Sequence, residues 1–230
     1  MFSEVFLAMT SREMAEYQPK KAAYLSCHFS PYGSGLSNIP DSLPPKSLLL
    51  VDDSTPPDGH NPQGVTEQLK GLIEKFQITG ILLDFQNSRN EACMAMAKAL
   101  SDTLPCPVAV TEGYAEALGS PVFLSSPPEN ITLEKYIAPW KKQGVFLEIA
   151  PDGLQITVTE KGAYFSAISS TEQLPLYHRK FHCHYRVEVL QDRAIFTLGR
   201  HKEDLLTLAQ DAKKLGVLGV IGLYQELMGI

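Results

Sequence analysis

The sequence predicts one α/β domain with a (β/α)8 TIM-barrel-like fold and an irregular antiparallel section near residues 150–198. Two observations carry this prediction. Short apolar runs alternate with amphipathic stretches, which is the pattern of βα units around a mainly parallel sheet. The chain has 230 residues, close to the roughly 250 that such a barrel typically needs. A single domain covering residues 1–230 is therefore predicted, although length alone also allows two small domains.

The predicted barrel strands are the short apolar runs. The run at residues 80–85 contains Ile-Leu-Leu and is apolar on both faces, as a buried parallel strand should be. Seven short apolar runs are predicted to be barrel strands, and the region 184–198 is predicted to supply the eighth. In chain order the predicted strands are residues 22–29, 47–51, 80–85, 108–111, 122–124, 145–149, one strand within 184–198, and 217–223.

Helices are predicted after most of these strands. Leu69, Leu72 and Phe76 recur at three- and four-residue spacing, which indicates one apolar helix face. Pro105 ends a second helix and Gly144 a third. The predicted helices are residues 66–76, 92–104, 132–143 and 202–215, with a short helical turn at 115–118.

The pattern changes after residue 149. Asp152–Gly153 is a hairpin turn signal, and residues 154–159 alternate apolar and polar side chains as a half-buried antiparallel strand does. Gln191–Asp192 predicts a second hairpin between residues 184–189 and 194–198. Because this section departs from the βα pattern, the sequence leaves open whether the barrel closes.

Composition excludes several classes of partner. The formal net charge is -6 and no run of basic residues is longer than two, which argues against nucleic acid and anionic membranes. The longest apolar runs are too short to span a bilayer, and the N-terminus does not resemble a signal peptide. Four scattered cysteines without a CxxC pair predict reduced thiols in a cytoplasmic protein. No cofactor is predicted, and the oligomeric state stays open.

Residues 79–86 read Thr-Gly-Ile-Leu-Leu-Asp-Phe-Gln. This segment resembles the fourth-strand signature of the family 18 glycoside hydrolases, the chitinase-like barrels, which reads Asp-Gly-x-Asp-x-Asp-x-Glu. The chain keeps the glycine at Gly80 and the last aspartate at Asp84. It has Thr79 and Leu82 in place of the first two acids, and Gln86 in place of the glutamate.

The end of the chain carries a second resemblance. Residues 202–227 are similar to the last helix and strand of those barrels. In the family that strand usually ends in a tryptophan that floors the sugar site, whereas Leu223 or Tyr224 stands there in this chain. Together the two segments cover about a quarter of the sequence.

The resemblance implies roles for two residues. In the family, the glutamate protonates the glycosidic oxygen and the aspartate two residues earlier steadies the substrate's N-acetyl group. Residues two apart on a strand point to the same side, so Asp84 and Gln86 keep that geometry. An amide cannot supply the proton of general acid catalysis, which is worth about 100- to 10,000-fold in rate. The resemblance therefore implies a carbohydrate-binding or carbohydrate-processing barrel that is catalytically impaired, a pseudoenzyme with an oligosaccharide or small-molecule ligand.

Other polar residues stand at predicted strand ends, where barrel active sites lie. Asp84 and Glu112 could form a two-carboxylate site, which leaves an active hydrolase as an alternative. Each acid alone could equally be a capping or solvated residue. The predicted catalytic set is Asp84, Gln86 and Glu112, and the predicted ligand-binding set is Asp52, Asp53, Tyr32, Glu148, Tyr224 and Gln225.

Two further readings concern the second half of the chain. On a strand, His182 and His184 would share a face and could hold a metal, but the sequence shows no third ligand, so no metal site is predicted. The irregular segment 150–190 could instead contact a partner or a second subunit, making the chain a non-catalytic interaction protein. That hypothesis predicts an exposed apolar patch in this segment.

Overall fold

The computed structural model describes residues 5–32, 35–87, 89–169 and 174–228. They form a closed parallel barrel and a separate antiparallel sheet. In chain order the elements are β1 (Val5–Met9), α1 (Ser11–Tyr17), β2 (Ala22–Phe29), β3 (Leu36–Ser37), β4 (Leu48–Asp52), α2 (Pro62–Phe76), β5 (Gly80–Asp84), α3 (Glu91–Thr103), β6 (Val108–Thr111), α4 (Glu112–Leu118), β7 (Val122–Leu124), α5 (Leu133–Ile137), a 3-10 turn (Ala138–Trp140), β8 (Val145–Glu148), β9 (Asp152–Thr159), β10 (Gly162–Ser169), β11 (Leu176–His178), β12 (Cys183–Val189), β13 (Arg193–Gly199), α6 (Lys202–Lys214), β14 (Gly219–Leu223) and α7 (Tyr224–Met228).

Eight parallel strands among the described residues close the barrel. Their order is β1-β2-β4-β5-β6-β7-β8-β14, and β14 pairs back onto β1. The short β3 pairs antiparallel with the end of β2. The predicted TIM-barrel fold class is confirmed, and the question of closure is answered.

The eighth barrel strand is not where the sequence placed it. Residues 184–198 fall in β12 and β13 of the antiparallel sheet, and β1 supplies the missing barrel strand between β14 and β2. The prediction was wrong because β12 has a half-exposed polar face with His184, Arg186 and Glu188, whereas a barrel strand is buried on both faces. Counting β1 makes residues 80–84 the fourth barrel strand, which is the position of the family signature that they resemble.

The barrel strands bury side chains on both faces. Outward-facing residues such as Val51 and Leu83 pack in the layer beneath the helices. Inward-facing residues such as Leu50, Leu82 and Phe146 fill the barrel interior as a second apolar cluster. The interior is thus a packed core, and only its rim at the strand ends can hold polar chemistry.

The antiparallel sheet follows β8 and precedes α6, with the strand order β10-β9-β13-β12-β11. Phe165, Ile156, Phe196 and Val187 stand in register across four of its strands and therefore share one face. Phe165 is 59% exposed and Val189 79% exposed. Segment 150–190 therefore exposes apolar side chains, and the hypothesis that it contacts a partner stays a prediction.

The first predicted hairpin turn is wrong and the second is confirmed. Asp152–Gly153 begins β9, and the chain turns instead at residues 160–161. Gly153 is there for close packing, because a Cβ would lie 2.8 Å from Ile168 Cγ1 and 3.0 Å from its carbonyl oxygen. The turn at Gln191–Asp192 joins β12 to β13 as predicted.

The helix predicted at 132–143 is shorter than expected. It becomes α5 and a 3-10 turn, because Pro139 has no N–H to continue the α-helical hydrogen bonds. Gly144 ends the segment in a left-handed conformation with φ of 97°, as predicted. No helix within the described ranges has both the length and the apolar character to span a membrane. All four cysteines are free thiols.

Candidate active site at the barrel mouth

A cavity of about 710 Å³ opens at the carboxyl ends of the barrel strands. Inward-facing residues alternate along each strand, so Asp52 lies above Leu50 on β4 and Asp84 above Leu82 on β5. Glu148 ends β8 in the same way. At the mouth of the barrel, the apolar interior therefore gives way to a layer of carboxylates, and each carboxylate lies on a different strand.

Asp84 and Gln86 lie together on the cavity wall. The Gln86 Nε2 amide donates to both carboxylate oxygens of Asp84, at 3.0 and 3.2 Å. Burial raises the pKa of Asp84 above its ordinary value, and the charges of Asp52 and Asp53 add to this, although the hydrogen bond from Gln86 opposes it. The two residues that carry the resemblance thus form one hydrogen-bonded unit, with Gln86 as the donor.

The backbone at Gln86 is fixed by Asp53, which is only 4% exposed. Its two carboxylate oxygens accept from the backbone N–H groups of Gln86, at 3.1 Å, and Asn87, at 3.0 Å. The Asn87 Nδ2 donates back to the carbonyl oxygen of Asp53 at 2.9 Å. Asp53 therefore lies beneath the loop as a positioning residue and is not among the residues that line the cavity.

Asp52 faces the cavity, and its Oδ1 also accepts from the Ser54 backbone N–H at 2.8 Å. This is an Asx turn. Both aspartates of this segment therefore accept hydrogen bonds from backbone N–H groups of loops.

Glu148 is the carboxyl group whose protonation the site perturbs most clearly. Burial and the negative charge of Asp84 raise its pKa to about 7, with two further carboxylates adding to the effect. Glu112, the first residue of α4, is exposed and lines the same cavity. Burial, then the charges of Glu112 and Glu148, raise the pKa of Tyr136 to about 12. The negative charges of Glu112 and Glu148 therefore both favour the neutral form of the Tyr136 phenol.

Besides Asp53, three residues predicted to bind ligand do not line this cavity. Tyr32 is 97% exposed beyond β2. The ring of Tyr224 packs on Tyr17 with centroids 5.2 Å apart, and the Gln225 amide donates to Glu13 at 2.9 Å. Leu223, the other residue considered for the tryptophan position, does line the cavity.

The sequence reasoning missed several lining residues. Thr111 ends β6 and donates from Oγ1 to the Phe85 carbonyl oxygen at 2.9 Å. Arg89 is the cation among the described lining residues, against the carboxylates of Asp52, Asp84, Glu112 and Glu148. Thr111 could have been found by its place at a strand end, whereas Arg89 lies in a loop with no pattern to mark it.

No protein-family model matches the sequence, and no curated protein matches it either. Solved structures do match in fold. A class V chitinase from tobacco is 11% identical with a TM-score of 0.54, over 93% of this chain and 90% of that one. The chain has the fold of a chitinase-like barrel. This confirms the resemblance seen at residues 79–86 and 202–227 at the level of architecture.

Two more solved structures illustrate the range of neighbours. The spore cortex-lytic enzyme SleL of Bacillus cereus is 11% identical with a TM-score of 0.53, over 89% of this chain. The present chain spans only 63% of that enzyme's length. A chitinase-like agglutinin from Robinia pseudoacacia is 10% identical with a TM-score of 0.52, over 96% of this chain and 94% of that one.

Proposed function

We propose that the barrel mouth binds an oligosaccharide and that the chain lacks the proton donor for general acid catalysis, because Gln86 stands at its position. The observation that carries the proposal is the Asp84–Gln86 unit, hydrogen-bonded at the end of the fourth barrel strand. The aspartate and the side-chain direction of a chitinase-like site are retained, and the proton donor is replaced by an amide.

The character of the cavity supports a carbohydrate ligand. Its volume of about 710 Å³ lies within the range of roughly 300–1,000 Å³ that ligand sites occupy. Carboxylates and amides on its wall can accept and donate hydrogen bonds to hydroxyl groups, and Leu25, Leu50 and Phe123 supply apolar wall. Among the structural neighbours, a mutant of the tobacco chitinase with a glutamate changed to glutamine was crystallised in complex with NAG4.

The chemistry of Gln86 supports binding without turnover. A primary amide has no proton to give near neutral pH, so it cannot assist departure of a glycosidic oxygen. Its Nε2 donates to Asp84, which leaves the aspartate positioned to accept from a ligand amide or hydroxyl.

Glu148 supports a second candidate, an active hydrolase with a different acid. It faces the same cavity as Asp84, and its pKa of about 7 keeps a large protonated fraction at neutral pH. In this alternative Glu148 gives the proton and Asp84 remains the stabilising carboxylate. The two candidates share the binding site and differ only in the acid.

The test compares wild type with Gln86→Glu. We expect wild type to bind chito-oligosaccharides by isothermal titration calorimetry without releasing a fluorogenic leaving group, and Gln86→Glu to release it. Gln191→Glu makes the same chemical change in the exposed β12–β13 turn and should stay inactive. Turnover by wild type that is lost in Glu148→Gln would favour the second candidate. Absence of saturable binding by wild type would overturn both.

A further inference from the structure

A cluster of metal-ligating side chains lies outside the barrel mouth. His184 is on β12, His201 directly precedes α6, and Asp204 is in the first turn of α6. One ligand atom from each lies within 4.8 Å of the other two. None of the three lines the cavity at the strand ends.

The structure supplies the partners that the sequence lacked for His184. His182 has a left-handed backbone with φ of 49° and lies before β12. The expectation that His182 and His184 share one strand face is therefore wrong. Asp204 instead contacts His184, and its Oδ2 lies 2.8 Å from Nδ1 of His184. The imidazole of His201 packs on that of His184 with ring centroids 4.2 Å apart.

We propose that His184, His201 and Asp204 bind one divalent transition-metal ion of the Zn²⁺ type. Two imidazoles and one carboxylate form a ligand set that suits zinc and its neighbours, whereas Mg²⁺ and Ca²⁺ prefer oxygen ligands alone. Three protein ligands leave a coordination position for water. This proposal does not depend on the oligosaccharide function.

Little movement is needed to assemble the ligands. Asp204 is already held, because its Oδ2 accepts from the backbone N–H of His201 at 2.8 Å and its side chain is 4% exposed. The side chain of His184 is 26% exposed, so an ion can reach the cluster from solvent. With metal bonds of about 2.0–2.2 Å the ligand atoms of a tetrahedral site lie roughly 3.3–3.6 Å apart, so binding needs only small shifts, in which the 2.8 Å hydrogen bond between His184 Nδ1 and Asp204 Oδ2 gives way to bonds to the metal.

The position of the cluster gives binding a structural consequence. His184 belongs to the antiparallel sheet, and the other two residues lie at the N-terminus of α6, which leads into the barrel strand β14. An ion shared among them would join the sheet to the barrel. Because the ion binds the folded chain preferentially, it should raise the melting temperature.

The direct test is calorimetric titration of the full chain with Zn²⁺. We expect one ion per chain, with affinity at least about tenfold weaker in His184→Gln and in His201→Gln. His178→Gln is the matched control, because His178 lies on β11 of the same sheet but outside the cluster. Unchanged affinity in both cluster variants, or no binding by wild type, would overturn the proposal.

An NMR measurement on the wild-type chain tests the same proposal without depending on whether the variants fold. Addition of Zn²⁺ should shift the imidazole NMR signals of His184 and His201 and leave those of His178 in place. Acidification should reverse the shift, because protons compete with the metal for imidazole nitrogen. Shifts confined to other histidines would show that Zn²⁺ binds elsewhere and would contradict the proposal.

Discussion

Glu148 is half-buried at the end of β8, where desolvation and the negative charge of Asp84 raise its pKa to about 7. The two residues are 64 positions apart in sequence, on β5 and β8, and both line the cavity at the barrel mouth. The interaction between them can be measured by removing one charge at a time.

Asp84→Asn should lower the pKa of Glu148, because the substitution removes a neighbouring negative charge and leaves the desolvation of Glu148 unchanged. The measurement is a pH titration of the Glu148 carboxyl carbon by NMR. Asp102→Asn, on the exposed face of α3, is the control and should leave that pKa unchanged. An unaltered pKa in Asp84→Asn would mean that the charge of Asp84 does not contribute to the perturbation of Glu148.

Glu148→Gln should flatten the dependence of stability on pH. The folded-state pKa of about 7 lies above the ordinary value of 4.5, so the folded chain holds more protons between those values and loses stability as pH rises through that window. The loss attributable to Glu148 is on the order of 2 kcal/mol. Urea unfolding at several pH values checks this, with Glu74→Gln as the exposed control. Equal slopes for wild type and Glu148→Gln would refute it.

Arg200→Met should destabilise the fold by about 3–5 kcal/mol, because Glu129 would remain as a buried, unpaired charge. Arg200 is 2% exposed, and its Nη1 donates to Glu129 at 3.1 Å and to the Pro127 carbonyl oxygen at 2.6 Å. The double variant Arg200→Met/Glu129→Gln should recover part of the loss. Lys98→Met, which breaks an exposed pair, should change the free energy of unfolding by less than about 1 kcal/mol.

Gly153→Ala and Gly71→Ala should have opposite effects. At Gly153 a Cβ would lie 2.8 Å from Ile168 Cγ1 and 3.2 Å from the Leu198 carbonyl oxygen, so the substitution should cost about 1–3 kcal/mol. Gly71 lies in α2 with no such neighbour within 4 Å, and alanine there should stabilise by about 0.5–1 kcal/mol. Thermal unfolding distinguishes the two. A neutral Gly153→Ala would show that β9 and β10 can separate without cost.

Seven of the eight barrel strands could be located from sequence because burial on both faces leaves continuous apolar runs. β1 was missed because its five residues are followed by a polar helix with Arg12, Glu13 and Glu16, and the whole N-terminal stretch was judged together. The β12–β13 hairpin was misassigned to the barrel, since a strand's partner is decided by tertiary packing and not by local pattern.

The mouth residues were predictable where a strand ends in a carboxylate, as at Asp52, Asp84 and Glu148, because the carboxyl ends of parallel strands meet at one rim. Tyr224 and Gln225 were harder to place, since the chain enters α7 directly after β14 and turns them toward α1. The grouping of His201 and Asp204 with His184 depends on how the sheet meets α6, which no spacing in the sequence encodes.

Asp53 accepts a hydrogen bond from the backbone N–H at position 86, so this contact does not depend on which side chain position 86 carries. Glutamine and glutamate codons differ by a single base. Under the proposed function, a single mutational step therefore exchanges an amide for an acid at the barrel mouth, with the supporting loop already in place. The same loop would then serve a binding barrel and a hydrolytic barrel without being rebuilt.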